Sequence, residues 1–534
     1  MKIGYEVTIH DLQKEQNAFD HDIDGMLQWK SRKQSSAGNA FFDEEQGRTM
    51  KIGIISDIHS NYRAFKACLD FFEKEKADYY LLLGDYVSDT PHPEKVMEMI
   101  YSLREKHKVF MIRGNREDYF LEDRAEDKGW TKCSAVGNLL YTKEKLTEED
   151  FQFFEQLPIC ETLSIDGYPS ITYCHGSPES TREHIYMDTE NSDRWLEQIE
   201  TDYLICGHTH QRCIYLYKEK TYINTGSCGI PIHNATMAEC VMLTGVIRGG
   251  KNDWDINLIS IPYDSQSLIE EIYTSGLYDY AHWFMNTNIQ TLTCGIDRAA
   301  CVVEEAYRIK NDEKDTGEGE RVGTFPTEEH FRKAARKLNV PDYANNRNPV
   351  VIRMALPEDA EALLGIYSHY VENTAVTFEV ETPSIEEFQE RIRNTRKAFP
   401  YYVAQKDGKI LGYAYASKFR TRAAYGWNSE FSVYVDKNAH RMGIGSLLLE
   451  TVEETLIRQG IVNLYAIISD TPEESPYIPK ESISFHKKNG FEEEGRLSKV
   501  GVKFGKWFDT VYMVKRLGEC KDNPSKPQPY FIEQ

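Results

Sequence analysis

At 534 residues the chain is too long for one ordinary domain and is expected to hold about two to four. A net charge of −22 argues against non-specific nucleic-acid binding, and no apolar run reaches membrane-spanning length. Eleven cysteines, scattered and without a C-x-x-C pair, point to a reducing compartment, the cytoplasm.

Residues 1–49 are polar, keep no sustained apolar period, and are expected to form a loosely ordered extension. Over residues 50–263, strand-like runs alternate with amphipathic ones. The runs at 52–55, 79–83, 109–112, 171–174, 203–206 and 221–223 each end in a polar cluster. The end of a strand is where open α/β sheets place their sites. Residues 264–348 read as helices interrupted by a charged break near 311–321, and then as linker. The aromatic residues Tyr273, Tyr278, Tyr280, Trp283 and Phe284 fit two roles: packing on the first domain, or an interface with a partner or with a second copy in a homodimer. A second α/β pattern spans 349–518, with a hairpin turning at Asp407-Gly408 and a long helix from Gly445; residues 519–534 form a tail.

Asp57 and His59 leave the first strand two residues apart, so they share a face. A carboxylate beside an imidazole suits a borderline divalent metal, but one D-x-H pair means little. Asp85, Asn115, His175, His208 and His210 follow at later strand ends and complete a ligand set sized for two divalent cations sharing one carboxylate.

This D-I-H, G-D, G-N, His-Gly and G-H-T-H series resembles the calcineurin-like metallophosphoesterases over about residues 50–263. The resemblance implies an α/β/β/α sandwich around a dimetal centre. Asp57, His59 and His210 would hold one metal, Asn115, His175 and His208 the other, and Asp85 would bridge them. Mn²⁺, Fe²⁺ or Zn²⁺ suits such ligands. Asn224 to Ser227 matches a turn that small members of the family carry beside the metals. One position departs: many relatives have a proton-donating His after the Gly-Asn pair, and here Arg116 stands there. An arginine cannot act as a general acid at neutral pH, although it can hold a phosphate.

In the second half, Arg441, Met442, Gly443, Ile444, Gly445 and Ser446 link a strand to a helix start, where two glycines and free N–H groups suit an anion. A Rossmann site is the rival reading, but its third glycine and early βαβ unit are missing. The strand carrying Val433, Tyr434 and Val435, with the later Phe485-His486-Lys487-Lys488-Asn489-Gly490-Phe491 stretch, resembles the GNAT N-acetyltransferases. Thr377-Phe378-Glu379, residues 412–416 and 419–425, and Glu430 narrow the resemblance to the phosphinothricin acetyltransferase branch. It implies acetyl-CoA as co-substrate and a small amino-acid-like amine as acceptor. Glu430 would be the general base, His486 would stand where many relatives protonate the leaving thiolate, and Phe378 would line the substrate site. Arg422 and Tyr425 would receive an anionic substrate group or form a solvated basic loop. Residues 470–480 exceed the usual length and displace the Asn that contacts CoA in the family.

The expectation is a multidomain α/β enzyme: a metallophosphoesterase sandwich, a helical extension and a GNAT domain, acting on small phosphoesters and amines without a membrane or nucleic-acid partner. The alternative is an active acetyltransferase whose phosphoesterase domain is a metal-binding regulatory or interaction module.

Overall fold

The computed structural model describes residues 49–232, 234–315, 325–522, 524 and 526–527. The N-terminal extension up to residue 48, part of the charged break and most of the C-terminal tail lie outside the described residues. The chain divides into two compact units between Asn348 and Pro349.

In the first unit, the apolar runs 52–55, 80–82, 171–174 and 203–206 form strands buried along their length, on both faces. One sheet has the order β10-β9-β1-β2-β3, with β1 Lys51–Ile55, β2 Tyr79–Leu82, β3 Lys108–Met111, β9 Met237–Arg248 and β10 Lys251–Pro262. The second has the order β4-β5-β6-β8-β7, with β4 Cys160–Leu163, β5 Ile171–Cys174, β6 Tyr203–Cys206, β7 Cys213–Tyr217 and β8 Lys220–Asn224. The first sheet is parallel over β1, β2 and β3 and antiparallel where β9 and β10 join it, whereas the second has a parallel centre with an antiparallel strand on each edge.

The sheets meet over Ile52, Ile54, Leu81 and Leu83 on one side and Ile171, Tyr203, Ile205 and Ile223 on the other. Helices Tyr62–Glu75 and Pro93–Lys106 cover the far face of the first sheet through Phe65, Phe72, Val96 and Ile100. Trp195 and Leu196 of helix Glu190–Gln198 join the core from the second sheet's side.

Helices Ser265–Thr274, Leu277–Tyr280, His282–Cys294, Ala299–Asp315 and Glu328–Lys337 continue this unit. Their aromatics pack inward: Tyr278 and Trp283 are buried, and Tyr141 of the sandwich shares a core with Leu268, Tyr278, Met285 and Leu292. Packing on the first unit therefore accounts for these side chains. Helix His282–Cys294 is buried almost all round, including Asn286, Asn288, Gln290 and Thr291. A helix enclosed this completely needs partners for its polar side chains. The Tyr278 hydroxyl donates to Asn286 Oδ1 at 2.7 Å, and Asn288 Nδ2 donates to the Asp89 carbonyl at 2.8 Å.

The second unit is one seven-stranded sheet, β11-β12-β13-β14-β15-β17-β16. Its strands are β11 Val351–Met354, β12 Tyr401–Lys406, β13 Lys409–Lys418, β14 Asn428–Val435, β15 Asn463–Asp470, β16 Glu492–Lys503 and β17 Lys506–Arg516. Only β14 and β15 run parallel, and they pair only from Asn428↔Asn463 to Glu430↔Tyr465. Beyond Glu430, β14 keeps β13 on one edge and has no strand on the other. Helix Ile444–Arg458 buries Leu448, Leu449, Val452 and Leu456.

Candidate functional site

Each predicted ligand of the first unit stands just past a strand. Asp57 and His59 follow β1, Asp85 follows β2, Asn115 follows β3, His175 follows β5, and His208 and His210 follow β6. Asp57, His59, Asp85, His208 and His210 all have positive φ, between 49° and 65°. For residues with a Cβ this is strained backbone, and it persists only where surrounding structure holds it. Here the loops hold one another. His59 N donates to Asp85 O at 2.9 Å, His208 N to Asp57 Oδ2 at 3.0 Å, and Gly229 N to Asp57 O at 2.8 Å. Ser227, in the turn after β8, adds a hydroxyl bond to Asp57 O at 2.9 Å.

The ligand atoms converge. Those of Asp57, His59 and His210 lie within 4.8 Å of one another, as do those of Asp57, Asp85 and His175. Asp85 turns one oxygen to each half: Oδ2 is 3.9 Å from His59 Nε2, and Oδ1 is 3.4 Å from His175 Nε2. Asn115 Oδ1 lies 3.0 Å from His175 Nε2. The His208 ring stands against those of His175 and His184, with centroids 5.0 and 4.4 Å away.

The donor set fits cations. His210 Nδ1 faces the Ile230 carbonyl at 3.0 Å and His175 Nδ1 the Leu83 carbonyl at 2.7 Å, so each Nδ1 donates its proton there and each Nε2 is the nitrogen turned to the cluster, where a cation would take the place of a proton. His59 Nε2 and His210 Nε2 face each other at 3.1 Å, an arrangement that a cation between two lone pairs satisfies. Asp57 Oδ1 and His208 Nε2 are buried without a hydrogen-bond partner among the described residues.

The electrostatics carry the same imprint. Burial alone would raise the Asp57 carboxyl, but His210 and His175 outweigh it and hold it well below the usual range. Burial would likewise raise Asp85, which His175, His59 and Arg116 hold down. Burial works against charged His175, yet Asp85 and Asp57 raise it to about 10. In His59, burial prevails over Asp89 and Asp85 and lowers it to about 4. Clustered carboxylates that stay ionised inside a protein are a charge that a cation neutralises.

Arg116 is fixed between two carboxylates. Its backbone N–H donates to Asp85 Oδ1 at 2.8 Å, and Nη2 donates to Asp89 Oδ2 at 2.7 Å. Three residues escaped the sequence reading. Glu117, fully buried, accepts the backbone N–H groups of Gly114, Asp85 and Tyr86 at 2.7, 2.9 and 2.9 Å, and so staples two ligand loops. Burial and the Asp85 charge push its carboxyl up to about 7. Asp89 and His184 are the others; neither belongs to a strand-end motif, so only the folded chain brings them in.

In the second unit, Glu430 lies in the last pair that β14 makes with β15. Burial raises its carboxyl, and Arg420 pulls it back. On the same strand face, Tyr434 packs against Tyr367, Tyr370 and Tyr413. The neighbouring Val433 and Val435 lie along the edge that β15 leaves. The loop with Arg441 and Met442 ends at Gly443, whose φ of 80° caps the helix opened by Ile444, Gly445 and Ser446. Arg441 is left-handed too, at φ 64°.

Phe378 is part-exposed and lies over Gly501, while Arg422 and Tyr425 are exposed beside a short 3-10 turn. Arg420, not singled out in the sequence, is the basic residue whose charge reaches Glu430. His486 is buried among Phe431, Phe485 and Phe491, with Nδ1 on the Ser482 carbonyl at 2.8 Å, and burial lowers its pKa. Residues 471–480 fold back toward Ala375, where Ala375 N donates to Tyr477 O at 2.8 Å.

The comparisons with known proteins agree with both folds. A family model described as calcineurin-like phosphoesterase matches residues 50–212, and one described as acetyltransferase (GNAT) domain matches 352–512. The chain thus combines two enzyme classes, a phosphoesterase and an acyltransferase. Through its second unit it belongs to the GNAT acetyltransferases. It is 36% identical over 167 residues to a phosphinothricin N-acetyltransferase of Alcaligenes faecalis, covering 31% of this chain and 82% of that protein. It is 31% identical over 176 residues to an L-methionine sulfoximine/L-methionine sulfone acetyltransferase of Pseudomonas aeruginosa, covering 32% of this chain and 98% of the relative. An uncharacterised protein of Methanocaldococcus jannaschii is 25% identical over 245 residues, 43% of this chain and 94% of its own length. Among the described residues, no helix is long and apolar enough to cross a membrane.

Proposed function

We propose that the chain is a bifunctional enzyme: a dimetal phosphoesterase in the first unit and an acetyl-CoA-dependent N-acetyltransferase for a small amino-acid-like amine in the second. The convergence of His59 Nε2, His210 Nε2 and Asp57 Oδ1, with Asp85 turned to both halves, supports the phosphoesterase most directly. Asp57, His59 and His210 would hold one divalent cation, Asn115, His175 and His208 the other, and Asp85 would bridge them. Mn²⁺, Fe²⁺ and Zn²⁺ match this mixture of imidazole, carboxylate and amide. When bound, such a pair neutralises charge on a phosphoryl group and makes water nucleophilic at neutral pH. The chain's residues orient the ester: Arg116, held by Asp89, presents a guanidinium at the site for a phosphoryl oxygen.

Because the position after Asn115 holds no proton donor, leaving groups that depart as stable anions should react best. With manganese-loaded protein and a series of aryl phosphoesters, the rate should fall steeply as the leaving-group pKa rises. A flat series under chemistry-limited conditions would point to a proton donor in the site, with His184 the first residue to replace.

The acetyltransferase reading rests on the β14 edge freed beyond Glu430 and on the helix start at Ile444. The first N–H groups of that helix lack intrahelical acceptors and suit the pyrophosphate of acetyl-CoA. The freed backbone of Phe431 to Val435 would take its peptide-like arm, and Glu430 would receive the amine proton. The neutral ring that burial favours gives its Nδ1 proton to the Ser482 carbonyl and leaves Nε2 bare, so His486 would protonate the leaving thiolate only after itself taking up a proton at Nε2. The named relatives make phosphinothricin and L-methionine sulfoximine the first amines to test. Phe378, Arg422 and Tyr425 would receive them, with Arg420 beside Glu430. Acetyl transfer to either amine supports the reading; acetyl-CoA binding without transfer to any small amine would overturn it.

A further inference from the structure

Asp89 has no part in the ligand set, yet it is one of the most heavily constrained residues beside it. It is buried, at 3% exposure, and sits at φ 66° directly after Ser88 at φ 86°. Two successive non-glycine residues in the left-handed region are costly and persist only where other contacts hold them. Those contacts come from three segments. Asn138 Nδ2 donates to Asp89 Oδ1 at 2.5 Å, Asn288 Nδ2 donates to its carbonyl at 2.8 Å, and Arg116 Nη2 donates to Oδ2 at 2.7 Å. The same oxygen lies 3.2 Å from His59 Nδ1, without the alignment of a hydrogen bond. The Asn288 helix is anchored in turn, with Trp283 N on Ser134 Oγ at 2.9 Å and Ser134 Oγ on Glu328 at 2.9 Å. The helical segment after the sandwich thus braces the loop that carries Asp89.

From the Asp89–Arg116 pair, its burial and its clamps, we propose that Asp89 is a specificity-determining positioning residue that makes the site favour singly charged phosphodiesters over doubly charged phosphomonoesters. The inference rests on the phosphoesterase reading. Arg116 is the cation at the position where relatives place a proton donor, and its side chain keeps 15% exposure. Left alone, it would reward each added negative charge on the substrate. Asp89 cancels that charge at 2.7 Å, and little solvent screens either group, so the pair as a whole offers nothing to a second negative charge on the substrate. A monoester dianion thus loses the gain over a diester monoanion that a free guanidinium would give it, while the cations serve both.

The test compares an aryl phosphodiester with the matching aryl phosphomonoester on manganese-loaded full-length protein. It also measures bound manganese by elemental analysis and inorganic phosphate affinity by calorimetry, above the second phosphate pKa. The native protein should prefer the diester. Asp89→Asn should shift the kcat/KM ratio at least about tenfold toward the monoester and tighten phosphate binding by a similar factor, with manganese content unchanged. Arg116→Gln leaves the Asp89 charge uncompensated and should shift the ratio the other way. A merely structural role would move both esters together, and that result, or loss of manganese in Asp89→Asn, would overturn the proposal. If native, manganese-loaded protein hydrolysed neither ester, the phosphoesterase reading itself would fall.

Discussion

In the proposed acetyltransferase, Glu430 is the residue on which the chemistry would turn. The amine must lose its proton before its lone pair can attack a thioester, so an ionised carboxylate at the fork of β14 and β15 is useful. Burial raises the Glu430 carboxyl. A raised carboxyl takes up its proton at a higher pH than a free glutamate does, so the base is lost sooner as pH falls. The acid limb of the rate profile should therefore lie above the usual value of about 4.3. Glu430→Gln should lower kcat by ~10²–10⁴-fold, abolish that limb and leave acetyl-CoA affinity by calorimetry unchanged. An unaltered rate in the Gln variant would assign Glu430 to structure alone. His486 shows the limit of reading a role from position: its place in the motif suggests a donor, while its ring lies in an aromatic core with one nitrogen already engaged.

Among elements, the strand-to-loop junctions carry the first site, and their glycines explain how the loops come so close. At Gly207, between β6 and His208, a Cβ would stand 1.9 Å from Ser56 Oγ and 2.4 Å from Asp57 Oδ2. Gly207→Ala must therefore displace Asp57. Manganese affinity should fall by about 10–100-fold, the usual cost of disturbing what orients a ligand. Titration calorimetry reads this directly, and an unchanged affinity would remove Asp57 from the ligand set.

These junctions were legible in the sequence because an apolar run ending abruptly in Asp, Asn or His is a local pattern. Glu117, Asp89 and His184 were not, because their partners lie far along the chain or in loops without a period. The enclosure of helix His282–Cys294 was not legible for a related reason: Asn286, Asn288 and Gln290 have the composition of a surface, and only the packing of Met285, Ile289 and Leu292 shows the helix to be enclosed. The antiparallel hairpin of β9 and β10, which completes the first sheet beside β1, left no motif to find.

At the scale of the whole molecule, each unit carries its own sheets, its own core and its own polar site. The ligand residues all belong to the first unit, and Glu430 with the Gly443 loop belongs to the second. The two chemistries should therefore be separable by single substitutions. The most direct test is a crossed assay on one full-length preparation loaded with manganese, measuring aryl phosphoester hydrolysis and acetyl transfer to phosphinothricin or L-methionine sulfoximine side by side. Asp85→Asn should abolish hydrolysis and leave acetylation intact, and Glu430→Gln should do the reverse. If native protein lacks either activity, or if hydrolysis survives Asp85→Asn, the bifunctional account is contradicted.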